Sequence, residues 1–242
     1  MTLTISSSAS FLYLLDNKSR IKQKLFTEKT SDIAAYRGTK AEKKWANIIQ
    51  NGGYILHFRH ADRNSYKDNV IFDALESVVH SNGINGTRFA ESHYFSEGTC
   101  LNKRGKVQAR VIGEHMRNIN VPIGFIITSP ICRARQTASI AFGKYDEIDF
   151  NLVHRGPFTE DKLNRVKKLK KLYLSMPIEQ KNNTIVSSHN GDVIRDIFKN
   201  TKVDSMYVDE GGFFVISRKN NELTLEHRFN NFNDFSRHFY PR

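Results

Sequence analysis

An arginine and a histidine stand side by side at the end of a short apolar run, Tyr54-Ile55-Leu56-His57-Phe58-Arg59-His60-Ala61. A guanidinium fixes the charge and geometry of a phosphate, and a neighbouring imidazole with one unprotonated ring nitrogen can attack its phosphorus. Two later segments carry matching chemistry. Ser129-Pro130-Ile131-Cys132-Arg133-Ala134-Arg135-Gln136-Thr137-Ala138 offers a second guanidinium, and Ser188-His189-Asn190-Gly191-Asp192 offers a second imidazole. Each segment follows an apolar run of the buried-strand kind, and open α/β sheets bind ligands at the carboxyl ends of their strands, so the three belong to one pocket.

Ser129 and Pro130 fit the cap and first position of a helix. Arg133 then falls in the opening turn, where the macrodipole disfavours a cation, and a phosphate held there by Arg59, Arg133 and the free amides removes the conflict. Arg135 faces differently on that helix and reads as a solvated or structural ion-pair residue.

The elements that must position these groups follow from periodicity. Tyr54–Arg59, Gly124–Thr128 and Thr184–Ser188 read as buried strands, each followed by a helical pattern. Ala41–Gln50 reads as a helix stopped by Asn51-Gly52-Gly53, with Trp45, Ile48 and Ile49 at core spacing. Val107, Val111, Ile112, Met116 and Ile119 mark one amphipathic helix, and Leu163, Val166, Leu169 and Leu172 another. Phe213–Ser217 and Leu223–Phe229, joined at Lys219-Asn220-Asn221, read as a closing hairpin. Alternating strands and helices imply an α/β three-layer sandwich, a mainly parallel sheet with helices on both faces.

At 242 residues the chain suits one substantial core, and 39% hydrophobic with 26% charged residues excludes a disordered or fibrous protein. We expect residues 1–40 to form an N-terminal extension with one short helix around Leu12–Leu25, and residues 41–242 to form a single domain. That domain carries a long loop insertion at 62–99, with a helix near Val70–His80, placed where α/β folds put substrate-facing lids. A formal charge of +12 favours anionic partners. Cys100 and Cys132 allow one bridge or two buried thiols, and the thiols are the favoured reading. No Cys/His group has zinc-ligand spacing, and strand alternation sends His57 and His60 to opposite faces, so no structural metal is expected. Phe11–Leu15 is too short for a secretory core or a membrane helix, from which a cytoplasmic location without a membrane span is expected.

The cations Lys162, Arg165, Lys167, Lys168, Lys170 and Lys171 surround the leucine stripe and read as a solvated helix face rather than a nucleic-acid patch. The aromatic tail, Phe229, Phe232, Phe235, Phe239 and Tyr240, reads as packing on the domain or a partner, and no nucleic-acid motif accompanies it. His57, His80, His93, His115, His154, His227 and His238 lack matching motifs and read as surface or packing residues.

Taken together, the segments resemble the histidine phosphatase superfamily, the phosphoglycerate-mutase-like proteins. The arginine-histidine signature matches Arg59-His60, the serine-proline, arginine and glutamine-threonine-alanine signature matches Ser129 to Ala138, and the late histidine matches His189. The resemblance also takes in Trp45 to Tyr54, Leu101 to Ala109 and Asp209-Glu210-Gly211-Gly212, and spans roughly Trp45 to Ser217. Ala61 stands where many members have glycine, as in the shorter, phosphohistidine-phosphatase-like branches.

The resemblance implies a phosphoglycerate-mutase-like fold and a metal-independent phosphatase without cofactor. Its substrate would be a phosphorylated small molecule (a phosphomonoester) or a phosphohistidine protein, hydrolysed through a covalent phosphohistidine on His60, with Arg59, Arg133 and His189 holding the phosphate oxygens. No clear motif marks the general acid. Glu160 comes first because it lies where many members carry the acid, Asp192 second and Glu210 third. The alternative is a catalytically silent phosphate- or polyanion-binding protein that keeps the pocket.

Overall fold

Successive side chains of β1 (Ile55–Arg59) enter opposite cores, as the two-residue period of a strand requires. Leu56 and Phe58 join one cluster, and Ile55 joins the other. The computed structural model describes residues 38–64, 97–154, 158–190, 192–198, 200–203 and 205–240, and the elements below belong to one compact unit, Lys40–Arg242. The expected helices at Leu12–Leu25 and Val70–His80 lie outside the described residues, as does most of the expected lid.

Six further strands complete the sheet: β2 (Ile123–Thr128), β3 (Glu147–Ile148), β4 (Asn183–Ser188), β5 (Asn200–Thr201), β6 (Phe213–Lys219) and β7 (Glu222–Phe229). Their order is β3-β2-β4-β1-β6-β7-β5. Parallel pairing joins β3, β2, β4 and β1, and β5 to β7, while β6 runs against both its neighbours. The sheet is therefore mainly parallel, as expected, but the β6–β7 hairpin does not close it, because β5 lies outside β7. Asn220 and Asn221 make that hairpin's turn at φ 50° and 58°, a left-handed pair that asparagine tolerates.

Helices cover both faces. On one side, α1 (Lys40–Ile49), α2 (Lys103–Asn118), α3 (Cys132–Phe142) and α6 (Phe232–Ser236) bury Ala46, Ile49, Ile112, Met116, Ala138, Ala141, Phe232 and Phe235. On the other, α4 (Lys162–Ser175) and α5 (Asp192–Arg195) bury Leu169, Tyr173 and Ile194. The backbones of α2 and α3 meet closely: a Cβ on Gly113 would lie 1.8 Å from the Ala141 carbonyl oxygen.

Two stripes differ from the sequence reading. Val107 is 59% and Leu163 63% exposed, because the buried face of α2 runs through Ala109, Ile112 and Met116, with Val107 roughly opposite at helical spacing, and that of α4 runs through Leu169 and Tyr173. Val111 is likewise exposed. The aromatic tail does pack on the domain: Phe235 meets Phe213 and Phe229 edge to face, Phe229 lies tilted against Phe213, and an Asn231–Asp234 capping box starts α6. Each such ring, fully buried, contributes about 1.5–3 kcal/mol.

Cys100 and Cys132 form a disulfide rather than the two expected thiols. The fold lays the 97–101 segment against the start of α3, an adjacency that a separation of 32 residues hides in sequence.

Candidate active site

Because β4 lies between β1 and β2, the carboxyl ends of three adjacent parallel strands carry the three chemical segments. Arg59 is level with Ser188, and Thr128 with Ser187. Past these pairs the chains stay laced: the His60 amide donates to the Ser188 carbonyl at 2.9 Å, and the Ser129 amide to the Ser187 carbonyl at 3.0 Å. His60 and His189 therefore emerge as neighbours, with ring centroids 5.3 Å apart in an edge-to-face arrangement.

Both rings are buried, as is Arg133 at 1% exposure. His60 Nδ1 lies 2.8 Å from its neighbour's carbonyl oxygen, at Ala61. A carbonyl only accepts, so Nδ1 holds the proton, and in the neutral ring Nε2 carries the lone pair. Burial first, then the Arg133 charge, pushes the His60 pKa well below the usual histidine range. Burial and the charges of His154 and Arg133 do the same to His189. Both imidazoles are neutral at pH 7.

Further bonds set the position of each ring. Thr137 Oγ1 accepts from the Ala61 amide at 2.9 Å and donates to the Arg133 carbonyl at 2.7 Å, tying the nucleophile's turn to α3. Gly211, in left-handed backbone at φ 79°, directs its amide at the Arg59 and His60 carbonyls. His189 Nε2 lies 3.1 Å from Ser129 Oγ, and its buried Nδ1 has no hydrogen-bond partner among the described residues. His57 Nε2 donates to the His189 carbonyl at 3.0 Å, which leaves His57 Nδ1 to accept from the Tyr173 hydroxyl. Burial lowers the His57 pKa to about 4, so this support is also uncharged.

The sequence-derived candidates divide. His60, His189 and Arg133 form a buried cluster, and Arg133 Nη1 donates to the Thr99 carbonyl at 3.5 Å. The Arg59 guanidinium donates to Tyr207 Oη at 2.7 Å and the Val208 carbonyl at 2.9 Å, and pairs with Glu210 at 3.2 Å. Its charge still bears on His60. Glu160 is exposed and ion-paired with Lys168, and its charge acts on Arg165. Glu210 is half-buried, and burial raises its pKa, with a contribution from Asp62, against the opposing Arg59 charge. Asp192 opens α5, and its side chain lies outside the described residues.

Several local expectations change. The helix begins at Cys132, after an Ile131 cap position without a side-chain bond, and the Ser129 hydroxyl lies between His189 Nε2 and the Ile131 amide, from which it accepts at 3.4 Å. Arg135 is buried and donates to the Pro130 carbonyl at 2.8 Å, so it is structural and not solvated.

His154, read as surface or packing, stacks on His189 with centroids 4.2 Å apart. Beyond that stack lies a cavity of about 240 Å³, walled by Leu169 and Tyr173 and edged by His154, Lys162 and Arg165. Arg165, half-buried over the Phe158 ring at 3.4 Å, departs from the solvated-face reading, whereas Lys162 stays 59% exposed and pairs with Asp196 at 2.7 Å. Thr137 lay inside a quoted motif without a role, whereas nothing in the sequence pattern singled out His154 or the Tyr173–His57 support. Among the described residues, no group of three or more His, Cys, Asp or Glu is placed to hold a metal ion, and no helix is long and apolar enough to cross a membrane.

The fold and this cluster define an α/β protein with paired histidines and a buried arginine at its strand ends. Residues 89–155 match the family model of the histidine phosphatase superfamily (branch 1), a stretch that includes Arg133 but neither Arg59-His60 nor His189. The chain thus resembles that superfamily over this stretch by family model as well as by motif. No curated protein matches it.

Solved structures similar to it include the protein histidine phosphatase SixA complexed with tungstate, at 14% identity and TM-score 0.45 over 73% of this chain and 96% of that one. Mycobacterial glucosyl-3-phosphoglycerate phosphatase has 14% identity and TM-score 0.45, over 74% and 98%. Phosphoserine phosphatase from Entamoeba histolytica, in complex with 3-phosphoglyceric acid, has 12% identity and TM-score 0.43, over 72% and 95%.

Proposed function

We propose that the protein is a phosphohydrolase that cleaves a phosphomonoester or phosphohistidine through a covalent phosphoryl group on His60 Nε2. The observation that carries this reading is the buried His60, held as its Nδ1–H tautomer by the Ala61 carbonyl beside His189 and Arg133. A neutral imidazole with a directed lone pair is a nucleophile, and a guanidinium beside it can hold a phosphate oxygen. The unpartnered Nδ1 of His189 supplies a further buried polar atom for a phosphate oxygen.

In the proposed cycle, His60 Nε2 attacks phosphorus while Arg133, Arg59 and His189 hold the oxygens, and the P–O (or P–N) bond to the leaving group breaks. Glu210 fits the proton donor better than Glu160, because its carboxyl is half-buried, bonded to Arg59 and shifted toward the protonated form. Once it has protonated the leaving group, its carboxylate draws a proton from water. That water displaces His60 from phosphorus, giving inorganic phosphate and the neutral ring. The cavity behind His189 is a candidate for part of the leaving group.

Hydrolysis of an aryl phosphate by the purified chain in the presence of chelator, measured beside His60→Ala, tests this reading. It expects turnover from the parent protein and none above background from the variant. Equal rates would remove His60 as nucleophile, and phosphate binding without turnover by both would favour the silent anion-binding alternative.

A further inference from the structure

We propose that the cavity behind His189 is a leaving-group subsite in which Arg165 selects a small, flat leaving group that carries an anion of its own. This rests on the phosphatase reading and narrows it to small phosphomonoesters with a second negative charge. His189 is common to the two sites: its ring lies 5.3 Å from that of His60, and it also lines the cavity. A group leaving a phosphorus held between these two histidines therefore has the cavity within a ring's width.

Size and walls set the kind of leaving group. The volume of about 240 Å³ falls below the range of about 300–1,000 Å³ that takes drug-sized ligands, so the cavity suits one small ring rather than a peptide segment. The rings of His57, His154, Tyr173 and His189 line it together with Leu169, and a flat apolar group packs well against such faces.

Charge at the cavity's edge sets the second feature. Lys162 and Arg165 stand three residues apart on one face of α4, and both line the cavity, whereas no carboxylate among the described residues does. The carboxylates that act on them, Asp196 on Lys162 and Glu160 on Arg165, are exposed. Arg165 is the better held of the two cations. Phe158 covers its guanidinium at 3.4 Å, and Nη2 donates to the Val153 carbonyl at 3.3 Å, which fixes the group beside the cavity. That is the guanidinium's one hydrogen bond among the described residues, so most of its five N–H donors remain for the oxygens of an anion at the cavity mouth. Lys162 adds charge there with less fixed geometry.

The test compares hydrolysis of 4-carboxyphenyl phosphate and 4-carbamoylphenyl phosphate by the full chain. The two esters share one shape, and the neutral amide is the better leaving group, so only a contact that binds the anion favours the acid. The expected result is a kcat/KM about tenfold higher for the acid, carried by KM. Arg165→Met keeps an apolar stem over Phe158 and removes the guanidinium, and it should bring the two esters within about twofold, mainly by raising KM for the acid. Arg165→Lys should keep part of the preference. Circular dichroism follows the fold of each variant, and the parent's ratio between the esters stands without any variant. Equal rates in the parent, or faster hydrolysis of the amide, overturn the proposal, as does a folded Arg165→Met protein that keeps the acid's advantage. Hydrolysis of nitrophenyl phosphate with neither test ester turned over overturns it as well. No hydrolysis of any of the three removes the phosphatase reading, and the inference with it.

Discussion

Thr137→Val probes the link between the nucleophile and α3. Valine keeps the shape of threonine, so packing survives while the hydroxyl is lost. That hydroxyl accepts from the Ala61 amide at 2.9 Å, and Ala61 is fully buried. Its amide would be stranded, at a cost of about 1–3 kcal/mol. The bond to the Arg133 carbonyl adds less, because a helix interior already supplies that carbonyl with an amide. Thermal unfolding should drop by a few to about 10 °C for a chain of this size. The Ala61 carbonyl also fixes the His60 ring through Nδ1, so a shifted turn misdirects Nε2 and kcat should fall about tenfold with a smaller change in KM. Thr137→Ser restores the hydroxyl and should recover most of both losses. Scanning calorimetry and aryl phosphate kinetics on the three proteins decide the matter. A valine variant with the parent's Tm and kcat, or a serine variant as impaired as valine, refutes the reasoning.

Tyr173→Phe should strip His57 Nδ1 of its donor in a buried site and cost about 1–3 kcal/mol in urea unfolding, where an unchanged midpoint would contradict the assigned bond. Acid should destabilise the protein. His57, His60 and His189 have folded pKa values below the usual 6.5, so below that pH the unfolded chain binds more protons and stability falls, whereas above it both states are neutral and stability is flat. Once the pH is below 4, His57 alone accounts for about 3 kcal/mol, and urea midpoints that hold steady or rise between pH 7.5 and pH 5 would be the opposing result. Glu210→Gln should slow alkyl phosphate hydrolysis about a hundredfold or more and nitrophenyl phosphate much less, since a good leaving group needs little protonation. Equal slowing of both would argue against proton donation.

The sequence made the strand-end chemistry legible because buried parallel strands are short apolar runs, and whatever follows them faces a ligand. Arg59-His60, Ser129-Pro130 and Ser188-His189 could be read in that way, and the observed strands start within one residue of the expected ones. What stayed hidden depends on which elements pack together. Helical spacing defines a stripe but not which side of it meets the sheet, hence the exposed Val107 and Leu163. Strand order decides that His189 sits between His60 and Ser129, and nothing local encodes it. The His154–His189 stack, the Tyr173 hydroxyl on His57 and the Cys100–Cys132 bridge join segments distant in sequence, so each looked like an isolated residue. Glu160 was placed by position alone, and an exposed carboxylate beside Lys168 finds its partner on the surface.

The central claim concerns one nitrogen atom, His60 Nε2. Mixing the enzyme with phosphorylated substrate, quenching with alkali within milliseconds and mapping the label by mass spectrometry tests it directly, because phosphohistidine survives base. A phosphoryl group on the His60 peptide, absent from His60→Ala and formed no more slowly than turnover, is the predicted result. A turning-over enzyme with no such adduct, or with the label on another residue, would contradict the account.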